Sequence, residues 1–204
     1  MGVQTSNNVT IDGNVLGKVT PRTTFEGQKI LDKEGGFSIC AYNFPDPCSD
    51  ISVTNNIAGG VAYAGFLAPA HACGEASTQT VFRDNVAHSS ESTSAGEGLV
   101  TFPNPADESH GTCYEASHFS AYKINVAAVN SFQKTHKTVL SQMTLVDNHY
   151  GFAVNIICPD DYAENEIVIN DSFMYGESIT LASVRIARKT VKEASAYSPQ
   201  SSVW

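Results

Sequence analysis

A short phrase recurs along this chain: an apolar, usually β-branched stretch, then Asn or Asp, then another apolar residue. It stands as Val53-Thr-Asn-Asn56-Ile-Ala, Val81-Phe-Arg-Asp-Asn85-Val-Ala, Tyr122-Lys-Ile-Asn125-Val-Ala, Leu145-Val-Asp-Asn148-His-Tyr and Val168-Ile-Asn-Asp171-Ser-Phe. From Asn56 through Asn85, Asn125 and Asn148 to Asp171 the intervals are 29, 40, 23 and 23 residues. The last two make a clean repeat, and the first two read as the same repeat enlarged by insertions. A period in this range is the signature of a solenoid, whose repeats bury their apolar faces only against one another.

The repeats are strand-like. They are rich in Val, Ile, Phe and Tyr, are punctuated by Gly and Asn, and show no sustained 3.6-residue periodicity. The pattern predicts an all-β chain, a right-handed parallel β-helix of about six coils with loop insertions. Asn suits the sharp corners of such a coil because it tolerates the left-handed backbone better than most residues with a side chain. Stacked from coil to coil, its amides can also hydrogen-bond as a ladder. Asn56, Asn85, Asn125 and Asn148 are the expected members, aligned at equivalent corners.

At 204 residues and 42% hydrophobic content the chain can fill a core. Only 16% of residues are charged and the net charge is -9. That balance repels polyanions and argues against sequence-independent nucleic-acid binding, which needs clustered Lys and Arg. The one basic cluster is Val184-Arg-Ile-Ala-Arg-Lys-Thr-Val-Lys192.

Cys40, Cys48, Cys73, Cys113 and Cys158 include no CxxC pair and no His at zinc-finger spacing. Cys40 and Cys48 bound a Pro-rich loop, and Cys73 and Cys113 fall in predicted insertions. Pairs Cys40–Cys48 and Cys73–Cys113, with Cys158 left over, fit an oxidising compartment. The sequons at Asn8 and Asn170 are compatible with secretion. The N-terminus has no apolar signal-peptide core, and the longest uncharged apolar run, Ile57 to Ala70, is too short and too rich in Gly and Pro to span a bilayer. The expectation is therefore an extracellular or cell-surface segment of a longer chain, with no direct membrane insertion.

One β-helix domain is expected over residues 1–193, followed by a polar tail, 194–204. Gly59, Gly60 and Gly65 are read as corner residues. Insertions run from Pro69 to Thr80 and from Pro103 to His118. Phe82, Phe119, Phe152 and Phe173 are expected in internal stacks.

The run Asn55-Asn-Ile-Ala-Gly-Gly-Val-Ala-Tyr-Ala-Gly-Phe66, then Ala70-His-Ala-Cys73, then Phe82-Arg-Asp-Asn-Val-Ala-His-Ser-Ser90 resembles the parallel β-helix region of the fibrocystin family. The match is close over Asn85 to Ser90 and looser before it, and Gly59-Gly60 stands where the family has Gly-Ser-Glu. The likeness covers about 45 residues well and the rest of the chain only by repeat pattern. It implies a large extracellular or cell-surface glycoprotein, often ciliary, in which the β-helix is a rigid rod or ligand platform. The same β-helix type accompanies G8 domains in cell-surface hyaluronidases, so the resemblance leaves scaffold and enzyme both open.

The best acid/base candidates are Asp84 with His88 and Asp147 with His149, for a polysaccharide-binding or polysaccharide-cleaving reading of hyaluronidase or lyase type. Two strand spacings of about 4.8 Å would separate the pairs, which argues against one site. No catalytic set is therefore assigned, and the expected role is structural or adhesive. Asp160, Asp161, Glu164 and Glu166 form an acidic loop whose oxygens suit calcium, without EF-hand spacing. No cofactor is expected apart from that calcium. The expected partners are neighbouring domains or subunits of an extracellular assembly, with a glycan as the alternative.

Overall fold

The computed structural model describes residues 2–3, 7–18, 36–39, 49–72, 80–90, 96–102, 112–132, 137–155 and 166–176. Among them there is no helix. The described residues form nineteen strands in three sheets, and all their pairings but one are parallel. Sheet I holds β1 (Gly2–Val3), β4 (Phe37–Ile39), β7 (Ala64–Pro69), β11 (Glu97–Phe102), β14 (Ala127–Phe132) and β17 (Tyr150–Asn155), in that order. Sheet II holds β2 (Asn7–Asp12), β5 (Ser49–Thr54), β9 (Val81–Arg83), β12 (Thr112–Ser117), β15 (Lys137–Ser141) and β18 (Glu166–Asn170). Sheet III holds β3 (Val15–Gly17), β6 (Ile57–Gly59), β10 (Val86–His88), β13 (Ser120–Tyr122), β16 (Thr144–Val146) and β19 (Phe173–Tyr175). The exception is β8 (His71–Ala72), which runs antiparallel to β12.

The chain visits the sheets in fixed rotation, I then II then III. Each strand pairs with the one a circuit later. Between sheets II and III it turns through Gly13, Asn55, Asp84, His118, Gln142 and Asp171, all in the left-handed region with φ from 48 to 68°. Between sheets III and I it turns through Lys18, Gly60, Ser89, Lys123 and Asp147, with φ from 54 to 62°. These two columns are called the first and second corner below. Stacked backbone bonds hold them: Asp84 N donates to Ser117 O at 3.2 Å, His118 N to Ser141 O at 3.0 Å and Ser89 N to Tyr122 O at 3.0 Å. Of the three predicted corner glycines only Gly60 occupies one. Gly59 ends β6, and Gly65 lies inside β7.

The core lies between the sheets. In sheet II, Ile11, Val53, Phe82, Ala116, Leu140 and Ile169 follow one another in register, and in sheet III Leu16, Ala58, Ala87, Ala121, Leu145 and Met174 do the same. An aromatic cluster fills the centre. Phe37 stacks on Phe66 at 5.0 Å, Phe66 meets Phe82 edge-on at 5.4 Å, and Phe119 lies 5.8 Å from Phe82. Such pairs add about 0.5–1.5 kcal/mol each beyond their buried area. Phe82, Phe119 and Phe152 are buried as expected from the repeat, but Phe173 is 58% exposed on the last strand of sheet III. Its position in β19 is an outward one, in register with Thr144 and Ser120. Residues 112–117, read from sequence as part of an insertion, form a strand because Tyr114 and Ala116 have buried neighbours to pack against. The predicted tail, 194–204, lies outside the described residues.

Candidate functional site

The residue after each left-handed position at the first corner points inward, and the column reads Asn14, Asn56, Asn85, Phe119, Met143, Ser172 down the stack. Its first three members form an amide ladder. Asn56 Oδ1 accepts from both Asn14 N and Asn14 Nδ2 at 3.0 Å. Asn85 Oδ1 accepts from Asn56 N at 3.0 Å and from Asn56 Nδ2 at 3.1 Å. Each amide also reaches back to a strand: Asn56 Nδ2 to Ile11 O at 2.9 Å and Asn85 Nδ2 to Val53 O at 2.8 Å. Asn56 and Asn85 are fully buried. These bonds satisfy polar groups that would otherwise be costly to bury.

The other two expected ladder members lie elsewhere. Asn148 occupies the inward position of the second corner, where its Oδ1 accepts from Ile124 N at 3.1 Å and its Nδ2 donates to Ala121 O at 2.9 Å. Asn125 is exposed, one residue past that inward position, which Ile124 fills. The clean 23-residue interval from Asn125 to Asn148 is therefore displaced by one residue from the structural period. Asn14, which the sequence reading left out, belongs to the ladder; its signal was Asp12-Gly-Asn14 between two strand-like runs.

The acid/base candidates do not converge. Asp84 is the left-handed residue of the first corner, with Arg83 Nε 3.8 Å from its carboxylate. Asp147 is the left-handed residue of the second corner, followed by His149, whose ring meets Tyr150 edge-on at 4.3 Å. His88 ends β10 between them in sequence. Its imidazole stacks on Tyr122 at 4.8 Å and 3° and accepts from or donates to Ser89 Oγ at 3.2 Å. The ring lies over Gly59, where an added Cβ would come within 2.5 Å of it. A whole strand of sheet III, about 10 Å long, separates Asp84 from His88, and His88 lies two circuits from Val146 beside Asp147, so the four groups cannot serve one substrate bond.

Two groupings that sequence reasoning missed carry polar chemistry. On sheet II a cavity of about 220 Å³ is lined by Thr80, Arg83, Glu115, Ser117 and Ser141 with Val81 and Val139. Thr80 is buried and its hydroxyl has no partner among the described residues. In sheet I, Glu97 is 7% exposed and accepts a short hydrogen bond from Asn130 Nδ2. Ala64, Leu67, Val100 and Tyr63 form a small apolar cluster on the same sheet. Burial raises the Glu97 carboxyl above its ordinary value, and the Asn130 bond only partly opposes this. Burial likewise raises the Tyr114 phenol, whose hydroxyl lies in the core without a partner among the described residues. Neither group had a local signature, because each depends on pairing between circuits.

Cys113 lies in β12 and is disulfide-bonded. Cys40, Cys48, Cys73 and Cys158 lie outside the described residues, as do Asp160, Asp161 and Glu164. Glu166 is in β18, 3.1 Å from Lys137 Nζ. Among the described residues no group of His, Cys, Asp and Glu gathers as a metal site, and no helix is long and apolar enough to cross a membrane. Asn8 and Asn170 are both exposed on sheet II. Comparison with known protein families, with curated proteins and with solved structures yields no match.

Proposed function

We propose that the three sheets are the sides of a right-handed parallel β-helix of the kind the fibrocystin resemblance implies, and that it serves as a structural or adhesive module. Its setting is an extracellular or cell-surface glycoprotein or fibrous assembly, with ciliary and flagellar surfaces among the candidates. The observation that carries this reading is the unbroken register: every circuit adds one parallel strand to each of three sheets around a single apolar core. Such an array is stiff along its axis and displays side chains in straight rows, which suits spacing and adhesion more than turnover. The scattering of Asp84, His88, Asp147 and His149 over two corners supports it. An oxidising setting is supported by the bonded Cys113, for which Cys73, next in sequence after the strand that pairs with β12, is the proposed partner. The test is electron microscopy of the protein from its native source, with non-reducing peptide mapping of the same material. Elongated particles containing Cys73–Cys113 and Cys40–Cys48 are expected; compact particles with free thiols would refute the proposal.

A second reading, glycan binding, is favoured by the sheet II cavity. Its hydroxyls, one guanidinium and one carboxylate are the groups that recognise sugar hydroxyls, with Val81 and Val139 as apolar floor. Titration with hyaluronan and pectin-type oligomers tests it. Binding abolished by Arg83→Ala is expected on this reading; binding untouched by that change excludes the cavity.

A further inference from the structure

We infer that copies of this chain associate head to tail, the last circuit of one seating on the first circuit of the next; this rests on the β-helix reading above. Among the described residues each sheet ends on an edge strand at both ends: β1, β2 and β3 at one, β17, β18 and β19 at the other. Edge strands are templates for pairing with another chain. Because all three sheets have the same number of strands along the stack, β1, β2 and β3 of a second copy fall in sequence onto β17, β18 and β19.

The burial of the core stops abruptly at the last circuit. Leu145 is 1% exposed, yet Met174, the next residue in the same inward row, is 40% exposed, and its neighbours Phe173 and Tyr175 reach 58 and 63%. At the other end Val15, the outward residue of the first strand of sheet III, is 72% exposed. Continuing the register would set Phe173 against Val15 of the second copy, Met174 against its Leu16 and Tyr175 against its Gly17, where nothing lies within 4 Å of an added Cβ.

Hydrogen bonding selects head to tail over the alternatives. Within the chain, the inward residue of the first corner gives its backbone N–H to the Asn Oδ1 one circuit on, and that Asn returns Nδ2 to the strand behind it. Among the described residues no circuit precedes Asn14, whose Nδ2 goes to Asp12 O at 3.0 Å and to Asn56 Oδ1. In the head-to-tail register Ser172 N would donate to Asn14 Oδ1 of the second copy, and Asn14 Nδ2 to Ile169 O. Charges agree as well. Glu166 would face Asn8, Asn170 would face Asp12, and Asp171 would face Gly13, so no like charges are opposed. Tail-to-tail contact buries the same apolar edge but offers no Asn to Ser172. A head-to-tail contact is heterologous and does not close, so it generates a series rather than a dimer.

The experiment is sedimentation velocity on the full chain, wild type, Leu16→Lys and Met174→Lys, over a wide concentration range. Both positions end the inward row and are only partly covered in the single chain, Met174 being 40% exposed, so each Lys can reach water there but not within the junction. Wild type should form an open series of oligomers. Each variant alone should be monomeric, its association weakened more than about tenfold by a buried unpaired ammonium. An equimolar mixture should give a dimer that grows no further, since each variant keeps one good end. Leu16→Lys that still dimerises alone would mean tail-to-tail contact, and a wild type monomeric throughout would mean the ends are covered by the chain's own remaining residues. Either overturns the inference. Hydrogen exchange on the same samples separates the two failures: a monomer protected throughout β5 to β16 retains the β-helix, whereas an unprotected one refutes that reading as well.

Discussion

The first corner has two halves built on one backbone. In its early circuits the inward residue is fully buried and amide-bonded: Asn56 bonds to the circuits on both sides, and Asn85 to the preceding one. In its later circuits it is Phe119 or Met143, equally buried but bonded to nothing through the side chain and packed in the core instead. The preceding residue is left-handed in both halves, and the backbone bonds between circuits continue without a break, as in Asn55 N to Arg83 O and Gln142 N to Asn170 O. Stacking of the backbone therefore sets the corner, and the side chain decides only whether that corner is joined by amides or by apolar contact.

The largest expected effect is in the apolar half. Phe119 is 0% exposed and touches Phe66 and Phe82. Phe119→Ala should cost about 3–5 kcal/mol in denaturant unfolding. A loss under about 1 kcal/mol would show that the later circuits do not share the aromatic core.

Next comes Asn56→Leu, which carries the apolar solution into the polar half. It strands Asn14 N, Ile11 O and one Asn85 lone pair, and should cost about 2–3 kcal/mol. The reciprocal Met143→Asn should cost less than a comparable core polar substitution, because Phe119 N and Ala116 O stand where Asn bonds its neighbours in the earlier circuits. Equal, severe losses in both would mean that the two halves have distinct backbones after all.

Gln142→Gly sharpens the point about the backbone. Gln142 has φ 56°. Removing its side chain should relieve left-handed strain and stabilise by about 1 kcal/mol or less, the gain being limited by the extra freedom of the unfolded chain. Destabilisation by thermal melting would contradict the corner geometry.

The smallest effect concerns pH. Glu97 has a folded-state pKa raised above 4.5 by burial. Its contribution to stability is full below 4.5 and is lost as pH rises through the raised folded value. Asp12 works in the opposite sense: its carboxylate is held below 3.8 by hydrogen bonds from Thr54 and Asn55, so what it contributes is lost as pH falls below 3.8. The melting temperature of wild type should therefore decline on the alkaline side of 4.5, and Glu97→Gln should flatten that decline while leaving the acid limb alone. An unchanged profile would place Glu97 in water.

The strand content, the Asn-marked corners and the burial of Phe82 and Phe119 were legible in the residues, because each rests on local preference. Asn, Asp and Gly tolerate left-handed turns, and β-branched and aromatic residues favour strands. At His118, Gln142, Lys123 and Lys18 that local code is silent, yet the backbone turns left-handed there as well. Those residues have no intrinsic reason to do so; the bonds from the circuits above and below impose it. The same limit explains why Asn125 lies outside the ladder while Asn14 belongs to it. Insertions of unequal length separate the repeats, so no spacing in the chain says which residue meets which. Pairing of strands from different circuits decides that, and with it the Glu97–Asn130 contact and the sheet II cavity, since only packing around a shared core brings residues so far apart in sequence into register.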